Sequence, residues 1–208
     1  MKKCFTILLL TLYTLTADAQ LGPTAQQQDH NLYGGFSGPN AGFGLKGGVN
    51  FAEINGSDKA MLGDIDGYTS FHAGIFAQLA LSNFFSIQSE LLYSRKGYER
   101  TDSTFRFDYL ELPVLAVFNL TDNISIHLGP QIGTMVSAKQ EGKEVNLDRF
   151  NTFDYGVAAG LEARISRFRL GGRYNLGFAD VIKTNAAGQN VTSDIKQGVL
   201  QVYLGVGF

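Results

Sequence analysis

The sequence predicts an eight-stranded antiparallel up-and-down β-barrel that spans a membrane, and three observations lead to this prediction. From about residue 42 to residue 208, apolar and polar residues alternate in eight segments, which is the period of a strand with two different faces. Each segment reaches the length of a tilted membrane-spanning strand, about 9–11 residues. The connections alternate between tight and long, as in membrane barrels with short periplasmic turns and longer outer loops.

The N-terminus predicts a secretory signal peptide over residues 1–19. Lys2 and Lys3 precede an apolar run over residues 5–13, and Ala17-Asp18-Ala19 forms a small-residue cleavage site. The run is too short for a transmembrane helix. We therefore expect export and cleavage of this segment.

The composition restricts the chemistry of the mature chain. Cys4 is the one cysteine and lies before the apolar run of the predicted signal, so we expect neither disulfides nor a lipoprotein anchor. Cleavage would change the formal net charge from −2 to −3, which gives no basis for nucleic-acid binding. Residues 20–41 are polar and contain Gln, Gly and Pro, so we expect a flexible periplasmic arm before a barrel over residues 42–208.

The eight strands are predicted from period-two alternation. They cover residues 42–51, 69–81, 85–96, 106–118, 124–137, 152–165, 168–178 and 197–208. The tight connections are at residues 81–84, 120–123 and 166–167, and the long ones are near residues 52–68, 97–105, 138–151 and 179–196.

Alternation does not say which face points outward, and a soluble lipocalin-like barrel would put its apolar face inside. Apolar-face aromatics collect at the strand ends here, as in the two interfacial girdles of a membrane barrel. One set is Phe43, Phe85, Phe118, Phe168 and Phe208, and the other is Phe51, Phe71, Tyr93, Tyr155 and Phe178. We therefore expect the apolar face to contact lipid.

The polar face is rich in glycine and carries charges of both signs. A buried charge is costly unless it is paired, so we predict an ion-pair network that fills the lumen. Its members are Lys46, Glu90, Glu111, Asp154, Glu162, Arg164, Arg169 and Arg173. The alternative is a narrow porin-like channel for ions or small solutes, although eight strands leave an interior just wide enough for side chains.

A second alternative is an outer-membrane lipid-modifying hydrolase. Strand directions place His72, Ser94 and Asp154 on the inner face near the outer rim, which supplies the composition of a base, a nucleophile and an orienting acid. The hypothesis requires His72 and Ser94 to come within hydrogen-bond reach. His72 and His127 lack metal-ligand spacing, and we predict neither a metal site nor a cofactor.

Two further features suggest partners. Phe208, with Val206 and Leu204 on the same face, resembles the terminal-strand signal that the barrel-insertion machinery reads by strand pairing. Arg95 faces outward near Lys96 and Arg100, where these cations could meet the phosphates of outer-membrane lipids, including lipopolysaccharide.

Several segments together resemble the PorT-type family of outer-membrane β-barrels. They are 71–77, 86–97, 109–114, 128–133, 153–156 and 173–177, of which Glu90-Leu91-Leu92-Tyr93-Ser94 and Tyr109-Leu110-Glu111-Leu112-Pro113 are the more specific. The resemblance implies an eight-stranded barrel in the bacterial outer membrane without enzyme activity, and its named member is linked to protein secretion. We therefore expect a non-enzymatic protein with a structural or docking role, and possible envelope protein partners.

Overall fold

The computed structural model describes residues 42–55, 65–100, 103–145, 150–179 and 195–208. The predicted signal peptide, the predicted arm and the acidic and basic residues between those ranges lie outside this part. The described residues form nine strands: β1 (Gly42–Asn55), β2 (Ile65–Ala80), β3 (Phe85–Arg100), β4 (Ser103–Asn119), β5 (Ile124–Gln140), β6 (Lys143–Glu144), β7 (Phe153–Ile165), β8 (Phe168–Gly177) and β9 (Lys196–Gly207).

Eight of these strands close into an antiparallel barrel, as the alternation predicted. Each long strand pairs with the next long strand along the chain, so that β5 pairs with β7, and β1 pairs with β9 to close the ring. Among the described strands, the two-residue β6 pairs with β5 alone. Within the described ranges, no helix is long and apolar enough to cross a membrane.

The three predicted tight turns lie at one end of the barrel, called here the turn end. The amide groups of Leu81 and Ser82 both donate to the Phe85 carbonyl, and those of Leu120 and Thr121 both donate to the Ile124 carbonyl. In the third turn, Ser166 takes a positive φ of 56°, which lets β7 reverse into β8 over two residues. The opposite end is called the loop end.

The strands β1 to β5 extend further toward the loop end than predicted. β3 continues to Arg100 and β4 begins at Ser103, so the prediction of a long connection over residues 97–105 is wrong. β5 likewise continues to Gln140 and turns through Glu141 and Gly142 into β6. The alternation did not predict these extensions because their apolar residues point inward and alternate with polar and charged residues. Such a sequence resembles a polar loop.

The apolar face points outward, which confirms the predicted sense of the barrel. Leu45, Leu161 and Leu204 are 56%, 57% and 65% exposed. The polar side chains that alternate with such apolar residues along the strands are buried. At the turn end Phe43 and Phe208 lie with ring centroids 5.9 Å apart. Exposed aromatics near the other end include Phe51, Phe71, Phe153, Tyr155 and Phe178. The two belts are the girdles that the sequence predicted.

Candidate functional site

The lumen contains a continuous set of ion pairs from mid-barrel to the turn end. Lys46 Nζ on β1 lies 2.7 Å from Glu90 Oε1 on β3, and both side chains are fully buried. Arg173 Nη1 on β8 donates to the other Glu90 oxygen at 3.0 Å. Gln201 Oε1 on β9 accepts from Arg173 Nη2 at 2.7 Å. Glu90 therefore joins strands from opposite sides of the barrel.

Glu162 on β7 is the second carboxylate of this set. It accepts hydrogen bonds from Arg169 Nη1 and from the Tyr203 hydroxyl, each at 3.2 Å. Lys46 Nζ and Arg164 Nε each lie 3.8 Å away, which makes two longer ion pairs. We call Lys46, Glu90, Glu162, Arg164, Arg169 and Arg173 the turn-end network.

Tyr203 packs across a glycine to reach Glu162. A Cβ added at Gly171 would collide with the Tyr203 ring, whereas one added at the next residue, Gly172, would meet nothing within 4 Å. The same ring lies 4.0 Å from Lys46 Nζ, a cation–π contact. Gly171 thus supplies the space in which the aromatic ring and the charges pack together.

The two remaining predicted network residues, Glu111 and Asp154, lie nearer the loop end in a separate cluster. Lys96 Nζ lies 2.6 Å from Glu111 Oε1 and 3.2 Å from Asp154 Oδ2. Neither Glu111 oxygen accepts a hydrogen bond with good angles among the described residues, so its contact with Lys96 is an ion pair only. We call Lys96, Glu111 and Asp154 the Lys96 cluster.

Lys96 is therefore a lumen residue, and the prediction that it contacts lipid phosphates beside Arg95 is wrong. Its side chain is 3% exposed and points inward. Ser94 was already predicted to face inward, and strand alternation puts residue 96 on the same face. The alternation in the sequence therefore already places Lys96 inside, although most lysines in proteins are exposed.

The structure separates the three residues of the hydrolase hypothesis. His72 and Ser94 are register partners on β2 and β3, but Asn50 lies between their side chains. Asn50 Oδ1 lies 2.7 Å from His72 Nδ1, and Asn50 Nδ2 donates to Ser94 Oγ at 3.0 Å. Asp154 is engaged by Lys96 instead. In this arrangement Ser94 Oγ serves as the acceptor for an amide rather than as the donor to a histidine.

The lumen offers little space to a ligand beside the Lys96 cluster. A cavity of about 10 Å³ is lined by Lys96, Gln131, Asp154 and Asn175, among others, which is room for about one water molecule. In the part of the chain that is described, no group of three or more His, Cys, Asp or Glu side chains could hold a metal ion.

Above the Lys96 cluster, the strand extensions enclose an apolar core. Its members are Ile54, Tyr98, Phe107, Tyr109, Met135, Ala138 and Ile195, and we call them the loop-end cluster. Phe107 is fully buried and packs edge-on against Phe150 at 5.2 Å. The inner face thus changes from polar to apolar above the Lys96 cluster, and the extended strands are held by a core of their own.

The outer side of these extensions is charged. Arg95 Nε lies 2.7 Å from Asp108 Oδ1, and its guanidinium stacks 4.9 Å from the Phe71 ring at the girdle. Further along, Arg106 on β4 is the register partner of Lys139 on β5. Lys139 Nζ lies 3.8 Å from Glu144 Oε1. We call the extensions of β3, β4 and β5 (residues 96–100, 103–108 and 137–140) the loop-end wall.

The residues of the predicted insertion signal lie on the outer face of β9 and at its end. The Phe208 amide donates to the Phe43 carbonyl at 2.8 Å, next to the pairing of β9 with β1. Leu204 is exposed on the lipid-facing side. Recognition of this strand by the insertion machinery stays a prediction.

Solved structures with the same fold come from bacterial outer membranes. Neisserial surface protein A matches at 15% identity and a TM-score of 0.54, covering 81% of this chain and 99% of that one. The attachment invasion locus protein Ail of Yersinia pestis matches at 15% identity and a TM-score of 0.50, with the same coverage. The outer membrane enzyme PagL matches at 11% identity and a TM-score of 0.46, covering 80% of this chain and 99% of that one.

At 15% identity, the matches to Neisserial surface protein A and Ail show the fold and do not assign an activity. No curated protein sequence matches the chain. The family model described as outer membrane protein beta-barrel domain matches residues 24–183, which is most of the chain. The chain therefore belongs to the family of outer membrane protein β-barrel domains and is a protein of the bacterial outer membrane.

Proposed function

We propose that this chain is a non-enzymatic barrel of the PorT type that docks another envelope protein on its loop-end wall. The observation that carries the proposal is the division of the molecule into a lumen filled by buried ion pairs and a wall that projects beyond the girdle. At a rise of about 3.4 Å per residue, β3 runs about 24 Å along its own axis from Tyr93 to Arg100.

The wall has the properties of a preformed binding surface. Its strands pair continuously, and the loop-end cluster packs against their inner side, so the outer side is rigid before any partner arrives. A rigid surface binds at a lower entropic cost than a loop that must become ordered. Its outward residues Arg106 and Lys139 add charge that can select and orient a partner.

Crosslinking in cells tests the proposal. A photo-reactive amino acid at Glu99, Thr104 or Lys139 would report on the wall, and one at Leu112 would serve as the matched control because it lies on β4 but faces lipid. We expect one protein adduct common to the wall positions and absent from Leu112. Adducts to lipopolysaccharide alone from every position would instead favour a purely structural barrel that contacts outer-membrane lipids.

The alternatives predict different measurements. A narrow channel would give conductance steps in a planar bilayer, whereas a lumen crossed by Lys46, Glu90 and Arg173 should give none. A lipid-modifying hydrolase would change the mass of lipid A in cells that carry the protein. Conductance steps that persist in purified protein would show that the lumen is not filled. A change in the mass of lipid A would show that the protein is an enzyme.

A further inference from the structure

The turn-end network contains more positive than negative charge. Its cations are Lys46, Arg164, Arg169 and Arg173, and its carboxylates are Glu90 and Glu162, which leaves a surplus of two positive charges. The Lys96 cluster has the opposite surplus, because two carboxylates share one lysine. Among the described residues, therefore, neither cluster is neutral by itself, and the two surpluses do not cancel.

Of the four cations in this network, Arg164 lies farthest from its nearest carboxylate. Arg164 is buried, with 7% of its surface exposed. Among the described residues, Nε and Nη1 have no hydrogen-bond partner, and Nη2 reaches Ser125 Oγ only at 3.4 Å. Glu162, the one described carboxylate within 4.0 Å, lies 3.8 Å from Nε and is also engaged by Arg169 and Tyr203.

The position of Arg164 concentrates this charge. Arg164 and Arg169 are direct register partners on β7 and β8, and both point into the lumen beside the turn at Ser166. Like charges directly opposite each other on paired strands are destabilising, and a buried cation is costly unless its ion pair and its hydrogen bonds have good geometry. Arg169 Nη1 donates to Gln78, Gln88 and Glu162. The other side of the guanidinium lies beside Gly207 on β9, where a Cβ would come within 3.8 Å of Nε, so the glycine leaves space next to Nε and Nη2.

We propose that the turn end of the lumen is a binding site for a small anion, held between the guanidinium groups of Arg164 and Arg169. A guanidinium has five N–H donors and no acceptor, and it suits chloride, phosphate and a phosphate headgroup. The anion enters from the periplasmic side, because tight turns face the periplasm in barrels of this kind. This site does not depend on the docking function and lies at the opposite end of the barrel.

The test uses the full barrel in maltoside micelles, which carry no phosphate, at constant ionic strength set by gluconate. Chloride, inorganic phosphate or phosphatidylglycerol is then titrated in, and the unfolding temperature is measured. A ligand that binds only the folded state raises this temperature by about 2–4 °C at roughly five times its dissociation constant. We expect this rise with the wild-type chain for at least one of the three probes.

Two variants decide whether the response comes from the site. Arg164→Gln should abolish the rise, whereas Arg167→Gln, which removes an exposed arginine from the adjacent turn, should retain it. A rise with phosphatidylglycerol alone would identify a headgroup as the source of the anion. An equal response in wild type and Arg164→Gln, or none in wild type, would overturn the proposal.

A direct measurement remains if Arg164→Gln does not fold. Crystals of the wild-type barrel are grown with bromide in place of chloride and, separately, with inorganic phosphate or phosphatidylglycerol. At least one of these anions should contact the Arg164 guanidinium, with an anomalous peak in the case of bromide. Data sets in which none of the three anions contacts Arg164 would also overturn the proposal.

Discussion

Lys46 and Glu90 form a buried ion pair that passes over an intervening strand. Lys46 lies on β1 and Glu90 on β3, with β2 between them, and Lys46 Nζ lies 2.7 Å from Glu90 Oε1. The pair therefore links strands that share no backbone hydrogen bonds. Because a buried charge is costly without its partner, this contact favours the one closed arrangement that brings the two side chains together.

Glu90→Gln should destabilise the barrel more than Lys46→Met does. Without the Glu90 carboxylate, Lys46 and Arg173 both lose their shortest ion pair, whereas without Lys46 the carboxylate keeps Arg173. Breaking a buried pair by removing one partner costs about 3–5 kcal/mol, and we expect Glu90→Gln to reach that range. Urea unfolding in lipid vesicles measures the difference, with the exposed Glu144→Gln as control. Equal losses for the two lumen variants would contradict the shared role of Glu90.

Two adjacent glycines provide a matched test of lumen packing. Gly171→Ala should destabilise the barrel by about 1–3 kcal/mol, the usual cost of overpacking, because the new methyl group collides with the Tyr203 ring. Displacing Tyr203 also weakens its hydrogen bond to Glu162. Gly172→Ala, which meets nothing within 4 Å, should be neutral or slightly stabilising. Unfolding midpoints that fall equally in both variants would show that the space at Gly171 is not required.

The barrel and its lipid-facing side could be predicted from the sequence because period-two alternation holds in every strand between the two girdles. The contrast between Leu45 outside and Lys46 inside is a local property that one strand displays by itself. The partition of the lumen charges could not be predicted, since it depends on strand register and stagger. Glu90 and Glu111 lie on neighbouring strands, yet the first belongs to the turn-end network and the second contacts Lys96.

The hydrolase hypothesis leads to a prediction about Asn50. Asn50 contacts His72 and Ser94 and also donates to the Arg95 carbonyl at 2.7 Å. Among the described side chains, Ser94 Oγ accepts a hydrogen bond from the Asn50 amide alone. Asn50→Ala should therefore cost more stability than Ser94→Ala, by about 1–3 kcal/mol, because it leaves several buried groups without partners. Neither variant should alter the lipid A mass spectrum of the host. A change in lipid A that disappears in Ser94→Ala would restore the catalytic interpretation.

The loop-end cluster should hold the wall independently of the membrane-embedded strands. Phe107 is fully buried between Tyr98 and Phe150, and replacing a core Phe by Ala costs about 3–5 kcal/mol. We expect Phe107→Ala to accelerate amide hydrogen exchange over residues 96–100 and 103–108, since a segment that loses its apolar contacts opens locally. The strands between the girdles should keep their protection, because their contacts are unchanged.

The control is Phe153→Ala, which removes a lipid-facing ring from the same end of the barrel and should leave exchange in the wall unaltered. If Phe107→Ala leaves exchange in the wall at the wild-type rate, then strand pairing alone holds the wall, and the apolar core is not what makes it rigid.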